Sequence, residues 1–196
     1  MSLDFRDARA DEMYSSSGVA LITDLLQETA TLTIIGAVEG PADNAINLLD
    51  RPRLGFPSKM GFKAEQFSGH VNAEVGIQIP FRSDVTIEET QFAAVARLTD
   101  IAVIDLFGDK DVSQGTLRLT LDENSMEVVG DVLVEGMPST VRWRENFLAQ
   151  APYQSRYDVT SILDTEAQEK LGLVLEPYAR GPFDMKFSYT ISNDGA

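Results

Sequence analysis

The sequence predicts an all-β protein, a mainly antiparallel meander forming a curled, open sheet or groove, accompanied by two short helices. Three observations predict it. Gly69 is followed by Val71, Ala73, Val75, Ile77 and Ile79 at every second position. Gly115 is followed in the same way by Leu117, Leu119 and Leu121, and Gly181 by Phe183, Met185, Phe187, Tyr189 and Ile191. Side chains alternate across a strand, so each run puts its apolar groups on one face. Such a face must be buried on a packed core, a partner or a ligand, and that choice decides the function.

The elements follow in order. Residues 1–28 read as an N-terminal arm or partial strand, polar through Ser15, Ser16, Ser17 and Gly18, with Val19–Ile22 a strand candidate. A β-branched strand over 29–38 leads into the main segment, 29–192. Gly40 and Pro41 then introduce a short helix over 41–50, since proline is tolerated in a first turn and Ala45, Ile46, Leu48 and Leu49 make an apolar stripe. Residues 51–68, with Pro52, Gly55, Pro57 and Gly61, read as a connection.

Strands are expected next over 71–81, 91–99, 116–121, 126–134, 139–144, 157–163 and 183–191, with an irregular stretch over 101–107. Turns are expected at 82–84, at Gly108–Asp111, at Asp122–Ser125, where the side chains favour a hairpin, and at Gly136–Pro138. A second short helix is placed at 165–171, with Thr165 and Gln168 as a capping box and Gly172 as its stop. Residues 193–196 are a tail. The Gly-started strands are unevenly spaced and amount to weak internal similarity rather than a strict repeat.

Composition narrows the function classes. Of 196 residues, 43% are hydrophobic and 24% charged, which is ordinary for a folded domain. The formal charge of −15 repels phosphate, so neither nucleic acid nor an anionic membrane face is an expected partner. The chain has no cysteine, which excludes a disulfide scaffold, a zinc-thiolate site and a cysteine nucleophile. No apolar run approaches the ~20 residues of a membrane span, and the charged 5–12 stretch is unlike a signal peptide. The chain reads as a segment of a longer protein whose targeting or anchoring element lies elsewhere.

The search for catalytic chemistry leaves little. His70, the single histidine, stands on the polar side of its strand, and no metal-type spacing accompanies it. Glu88 and Glu89 point to opposite faces if they lie on a strand, and Asp109 and Asp111 lack the further ligands of a calcium loop. No nucleophile elbow, phosphate loop or dinucleotide fingerprint occurs. Trp143 lies between Arg142 and Arg144, which on a strand project to the face opposite the indole. No enzyme activity, cofactor or metal site is expected.

The remaining feature is the apolar face. Its candidate lining is Val71, Val75, Ile77, Leu117, Leu119, Val128, Val132, Val141, Trp143, Phe183 and Phe187. Alternation alone fits two arrangements, a closed β-sandwich core and a groove that holds hydrocarbon. Two helices of about ten residues, rising ~1.5 Å per residue, are short for covering some eight strands, which favours an open or partner-covered face.

A resemblance adds to this reading. Gly40-Pro41, Ala45 to Asp50, Leu54-Gly55, Ser68-Gly69 and Ile79-Pro80-Phe81 occur in the order of an AsmA-like domain. Leu98 to Ala102, Gly115 to Leu119, Gly130 to Pro138, Val141 to Phe147, Leu171 to Leu173, Pro177-Tyr178 and Gly181 to Phe183 continue that order. Over about residues 30–192 the chain resembles the AsmA-like superfamily, in particular the YhdP- and TamB-related domains of Gram-negative envelope proteins. The resemblance implies a section of a long periplasmic protein, anchored in the inner membrane outside this chain, that conducts phospholipid towards the outer membrane. It implies phospholipid acyl chains, adjoining repeats of the same longer chain and other envelope proteins as partners, and it carries over no catalytic residues. The alternative is a closed β-sandwich serving as a structural or protein-interaction module of the envelope.

Overall fold

The computed structural model describes residues 1–24, 30–50, 56–59, 61–82, 85, 89–106, 110–148, 150–165, 168 and 181–193. Ten strands are described: β1 (Ser2–Ala10), β2 (Met13–Thr23), β3 (Thr31–Pro41), β4 (Phe67–Pro80), β5 (Gln91–Val103), β6 (Val112–Asp122), β7 (Ser125–Val134), β8 (Met137–Asn146), β9 (Ser155–Leu163) and β10 (Phe183–Ile191). Among the described residues they form one antiparallel sheet in strict sequence order, with β1 and β10 as its outer strands. Helix α1 (Ala42–Leu49), a helical turn α2 (Phe56–Lys59) and a 3-10 turn (Ala64–Gln66) lie between β3 and β4. The meander and the first helix agree with the sequence reading. A sandwich does not form among the described strands, because all ten share one sheet.

The turns follow from their side chains. Glu135 and Gly136 both have positive φ, 50° and 79°, the geometry that lets a two-residue hairpin match the twist of β7 and β8. Met137 and Pro138 therefore belong to β8 rather than to the turn. Proline is accommodated there because Pro138 pairs with Leu133 of β7, while β9 pairing begins only at Ser139. Between β6 and β7, Asp122 Oδ1 accepts the backbone N–H groups of Asn124 and Ser125, both at 2.8 Å.

The stretch read as an arm or partial strand holds β1 and β2, which pair with each other, and β2 pairs in turn with β3. Two expectations are corrected. Of the irregular stretch expected over 101–107, the first three residues are the end of β5, which passes a bulge at Asp100 (φ 53°) and runs on to Val103, while 104–106 form a turn. Gly69 and Gly115 do not open their strands; each lies inside one, at a bulge. Of the helix expected over 165–171, only Thr165 and Gln168 are among the described residues. There the Gln168 amide donates to the carbonyls of Leu163 and Gly181, both at 3.2 Å. Glu88, Asp109 and the 51–55 connection lie outside the described residues.

The bulges fall in line across neighbouring strands, at Gly69 of β4, Asp100 of β5 and Gln114 of β6. A bulge bends its strand and increases the local twist. Beyond this line the strand ends bring together Ile101, Val103, Val112 and Val132, and α1 adds Ala42 to make the buried core. Phe67, Val71, Leu98, Leu117 and Val141 pack against that cluster.

Gly69 has no substitute at its bulge. Its φ is +111°, and a Cβ there would stand 2.6 Å from the Asp100 carbonyl oxygen. Gly69→Ala is expected to lower unfolding free energy by about 1–3 kcal/mol, read as a lower urea midpoint at unchanged slope. An unchanged midpoint would show that the β4–β5 bulge can relax around a methyl group.

Candidate functional site

Cross-strand register decides which side chains share a face, because directly paired residues point the same way. One row of pairs runs Val38, Ala73, Ala96, Leu119, Val128, Trp143, Tyr157 and Tyr189, one residue from each strand from β3 to β10. The row beside it runs Gly40, Val71, Leu98, Leu117, Gly130, Val141, Val159 and Phe187. A third contains Gly36, Val75, Ala94, Leu121, Met126, Glu145, Ser155 and Ile191. At strand spacing these rows extend ~33 Å along the sheet. All eleven candidate lining residues stand on this face.

The register does not make them equivalent. Val132 is in the core beside α1, and Val71, Leu117 and Val141 pack against it, so these four form the covered side of the face. Val128 is also buried. Val75, Leu119, Trp143 and Phe183 are half-buried, while Ile77 and Phe187 are exposed. The accessible lining is thus the β4 end at Val75 and Ile77, the middle at Leu119 and Trp143, and the β10 side.

The sheet curls toward this face. The Phe62 ring, in the connection before β4, packs edge-on against Phe67 of β4 at 5.7 Å and against Trp143 of β8 at 5.5 Å. In a flat sheet those strands would lie four spacings, roughly 19 Å, apart. One ring spanning both requires β4 and β8 to lean together over it. From Trp143 the aromatic contacts continue along the row, stacked on Tyr157 at 5.6 Å and then on Tyr189 at 6.3 Å. Such pairs contribute ~0.5–1.5 kcal/mol each beyond their area. Near the other end, the Phe5 ring lies over Gly18, where a Cβ would come within 2.1 Å of it.

Two polar pairs interrupt the apolar face, and the sequence reading missed both. Glu145 is 4% exposed; it accepts the Trp143 Nε1–H at 3.0 Å and the Ser155 hydroxyl at 2.8 Å. Ser139 and Ser161 share a buried hydrogen bond at 2.7 Å. Each pair is cross-strand between β8 and β9, so Val141, Val159, Trp143 and Tyr157 form an apolar window between them. The available signal was parity: residues 139, 141, 143 and 145 alternate onto one face whatever their polarity.

The opposite face is mostly polar, although Val95 and Ile162 also stand exposed on it. Glu127 pairs with Arg144 at 2.7 Å and lies 3.7 Å from Arg142, so the arginines beside Trp143 do face away from it. The Glu127 hydrogen bond is the main cause that raises the Arg144 pKa above its ordinary value. Arg156 holds Asp158 at 2.9 Å, and that hydrogen bond, with a second from Ser188, keeps the Asp158 carboxyl below its usual range. His70 is exposed on this side. Asp111 organises a loop, accepting the Asp105 N–H at 3.0 Å, and Glu89 is paired with Arg82. Val19 and Ile35, cross-strand partners, stand exposed there as an apolar pair. Among the described residues no three His, Cys, Asp or Glu side chains are placed to hold a metal ion, and no helix is long and apolar enough to cross a membrane.

Burial, and next the Glu145 carboxylate, push the Tyr157 hydroxyl up to about 12 from 10.0. An unfolded tyrosine releases its proton at the lower value, so this group leaves stability undiminished below pH 10 and erodes it as pH rises towards about 12. Melting temperature measured across the alkaline range should therefore fall less steeply in Tyr157→Phe than in the parent chain. Equal slopes would mean that the Tyr157 proton is not linked to folding. Among known proteins, no family model, no curated protein and no solved structure matches the chain.

Proposed function

We propose that this chain is a section of a periplasmic bridge-like protein that carries phospholipid between inner and outer membranes along an apolar β-groove. The observation that carries the reading is the unbroken row from Val38 to Tyr189 on the inner side of a single-layer sheet. No second sheet faces that row among the described residues, and α1 reaches only one side of it. Acyl chains lie along the rows and the head groups stay at the solvent edge. Each methylene taken out of water contributes about 0.8 kcal/mol, so a chain is held without specific polar contacts. The periplasmic setting and the membrane anchor outside this chain follow from the AsmA-like resemblance, as does the phospholipid cargo.

The burial pattern makes the reading more specific. Small residues, Ala73, Ala96 and Val128, form the buried floor of the row. Longer side chains at its β8–β10 end rise above it, which suits a flexible alkyl chain better than a flat rigid ligand. No bond is made or broken, and the residues supply no energy source, so movement depends on a gradient or on partners.

Trp143 is the single tryptophan, and its indole lies in this row, which gives a direct test. Phospholipid brominated along its acyl chains should quench the Trp143 fluorescence of the chain. Leu119→Arg should abolish the quenching while leaving the far-UV circular dichroism unchanged, and Arg118→Glu, on the other face, should leave quenching intact. Absence of quenching in the parent chain at saturating lipid would discard the groove in favour of a face covered by protein.

A further inference from the structure

On the polar face, one pair of charges is left unbalanced by the sheet. Arg97 of β5 and Arg118 of β6 are direct cross-strand partners, and both are exposed there. Like charges set opposite one another on neighbouring strands destabilise a sheet. Farther along the same face each arginine meets an acid, Arg142 and Arg144 meeting Glu127, and Arg156 meeting Asp158. Arg97 and Arg118 form no ion pair among the described residues, in a chain with 31 acidic residues to 16 basic ones. The acids closest in register are turned elsewhere. Glu39 accepts the Asn72 amide at 3.2 Å, Asp131 accepts the Thr140 hydroxyl at 2.8 Å, and Glu74 stands opposite Val95.

The two arginines lie in a shallow depression whose other walls are Asn72, Glu74, Val95, Thr116 and Val129. We propose that Arg97 and Arg118 bind a phosphate group between their guanidinium forks, with the Thr116 hydroxyl as a third donor. A carboxylate has two oxygens, and one guanidinium fork occupies both. A tetrahedral phosphate has enough oxygens to accept from two forks at once, and its charge neutralises the pair. Val95 and Val129 bring no competing acceptor to the depression. Glu74 sets the limit of the site on one side, because it repels the same anion. The net charge of −15 opposes an anion mainly at long range, where a Debye length of ~8 Å at physiological salt screens it. The site is on the face opposite the apolar rows, and it does not rest on what those rows carry.

Thermal unfolding with inorganic phosphate tests the site, with chloride at matched ionic strength as the reference. Phosphate should raise the melting temperature of the parent chain saturably, since a ligand bound only by the folded state stabilises it. Arg97→Thr and Arg118→Thr should each weaken that response by roughly tenfold or more in phosphate concentration. Without phosphate both variants should melt at or above the parent, because threonine suits a strand and the repulsion is gone. A lower melting temperature would make the pair structural and overturn the proposal. Arg156→Thr removes an equal charge from the same face, at an arginine already held by Asp158, and should keep the full phosphate response. Cosedimentation with vesicles of phosphatidylcholine and phosphatidic acid, but not of phosphatidylcholine alone, would assign the phosphate to a lipid head group. A shift with inorganic phosphate and no vesicle binding would assign it to a solute. Absence of both responses would overturn the proposal, as would either response surviving in both arginine variants.

Discussion

Cross-strand register is the constraint on which the rest of this molecule depends. In a sheet with one apolar face, sliding any strand by one residue turns its whole apolar set to the opposite side. From β3 to β10 the pairing keeps Val, Leu, Ile, Phe, Tyr and Trp side chains in common rows, with charged residues on the other face. The ion pairs of Glu127 with Arg144 and of Arg156 with Asp158 are consequences of the same register. Their exposure to solvent makes them weak stabilisers, so they accompany the register more than they impose it. The apolar rows, and hairpin turns such as Glu135-Gly136, hold it.

A single layer needs something to protect its apolar side, and the structure answers unevenly. Along one flank, bulged strand ends gather Ile101, Val103, Val112 and Val132 around Ala42 of α1 and make a true core. Farther along the strands the protection comes from curvature and from one aromatic side chain, Phe62. The face therefore changes character across its width, from sealed core at Val132 to exposed side chains at Phe187. Glu145 fits this gradient. Its carboxylate is stable on an apolar surface only because Trp143 and Ser155 both donate to it.

The sequence makes the alternation legible, since the period of two is a local property that survives without tertiary information. It places Leu117, Leu119, Val128, Val141 and Trp143 on one face before any pairing is known. It does not distinguish Val132, sealed under α1, from Phe187, open to solvent, because alternation records parity and not cover. The bulges escaped for a related reason. Asp100 and Gln114 adopt positive φ without being glycine, so no residue type announces them. β1 was legible only as an arm or a partial strand, because Asp4, Arg6, Asp7 and Arg9 give it the composition of a solvated segment. Glu145 escaped because no local signal tells a buried acid from a solvated one, although its even spacing from Trp143 fixes its face.

The cover of the face and the edges of the sheet make demands in perpendicular directions. The rows run along the sheet, so whatever lies on them is extended in that direction and held by area rather than by geometry. An edge runs along its strand, and the outward N–H and C=O groups of an edge strand are satisfied by another strand or by water. Neither demand can meet the other. A hydrocarbon chain cannot satisfy the edge, and an added strand lengthens the apolar rows instead of covering them. Strand addition at an edge therefore enlarges the surface that the curled face must bury.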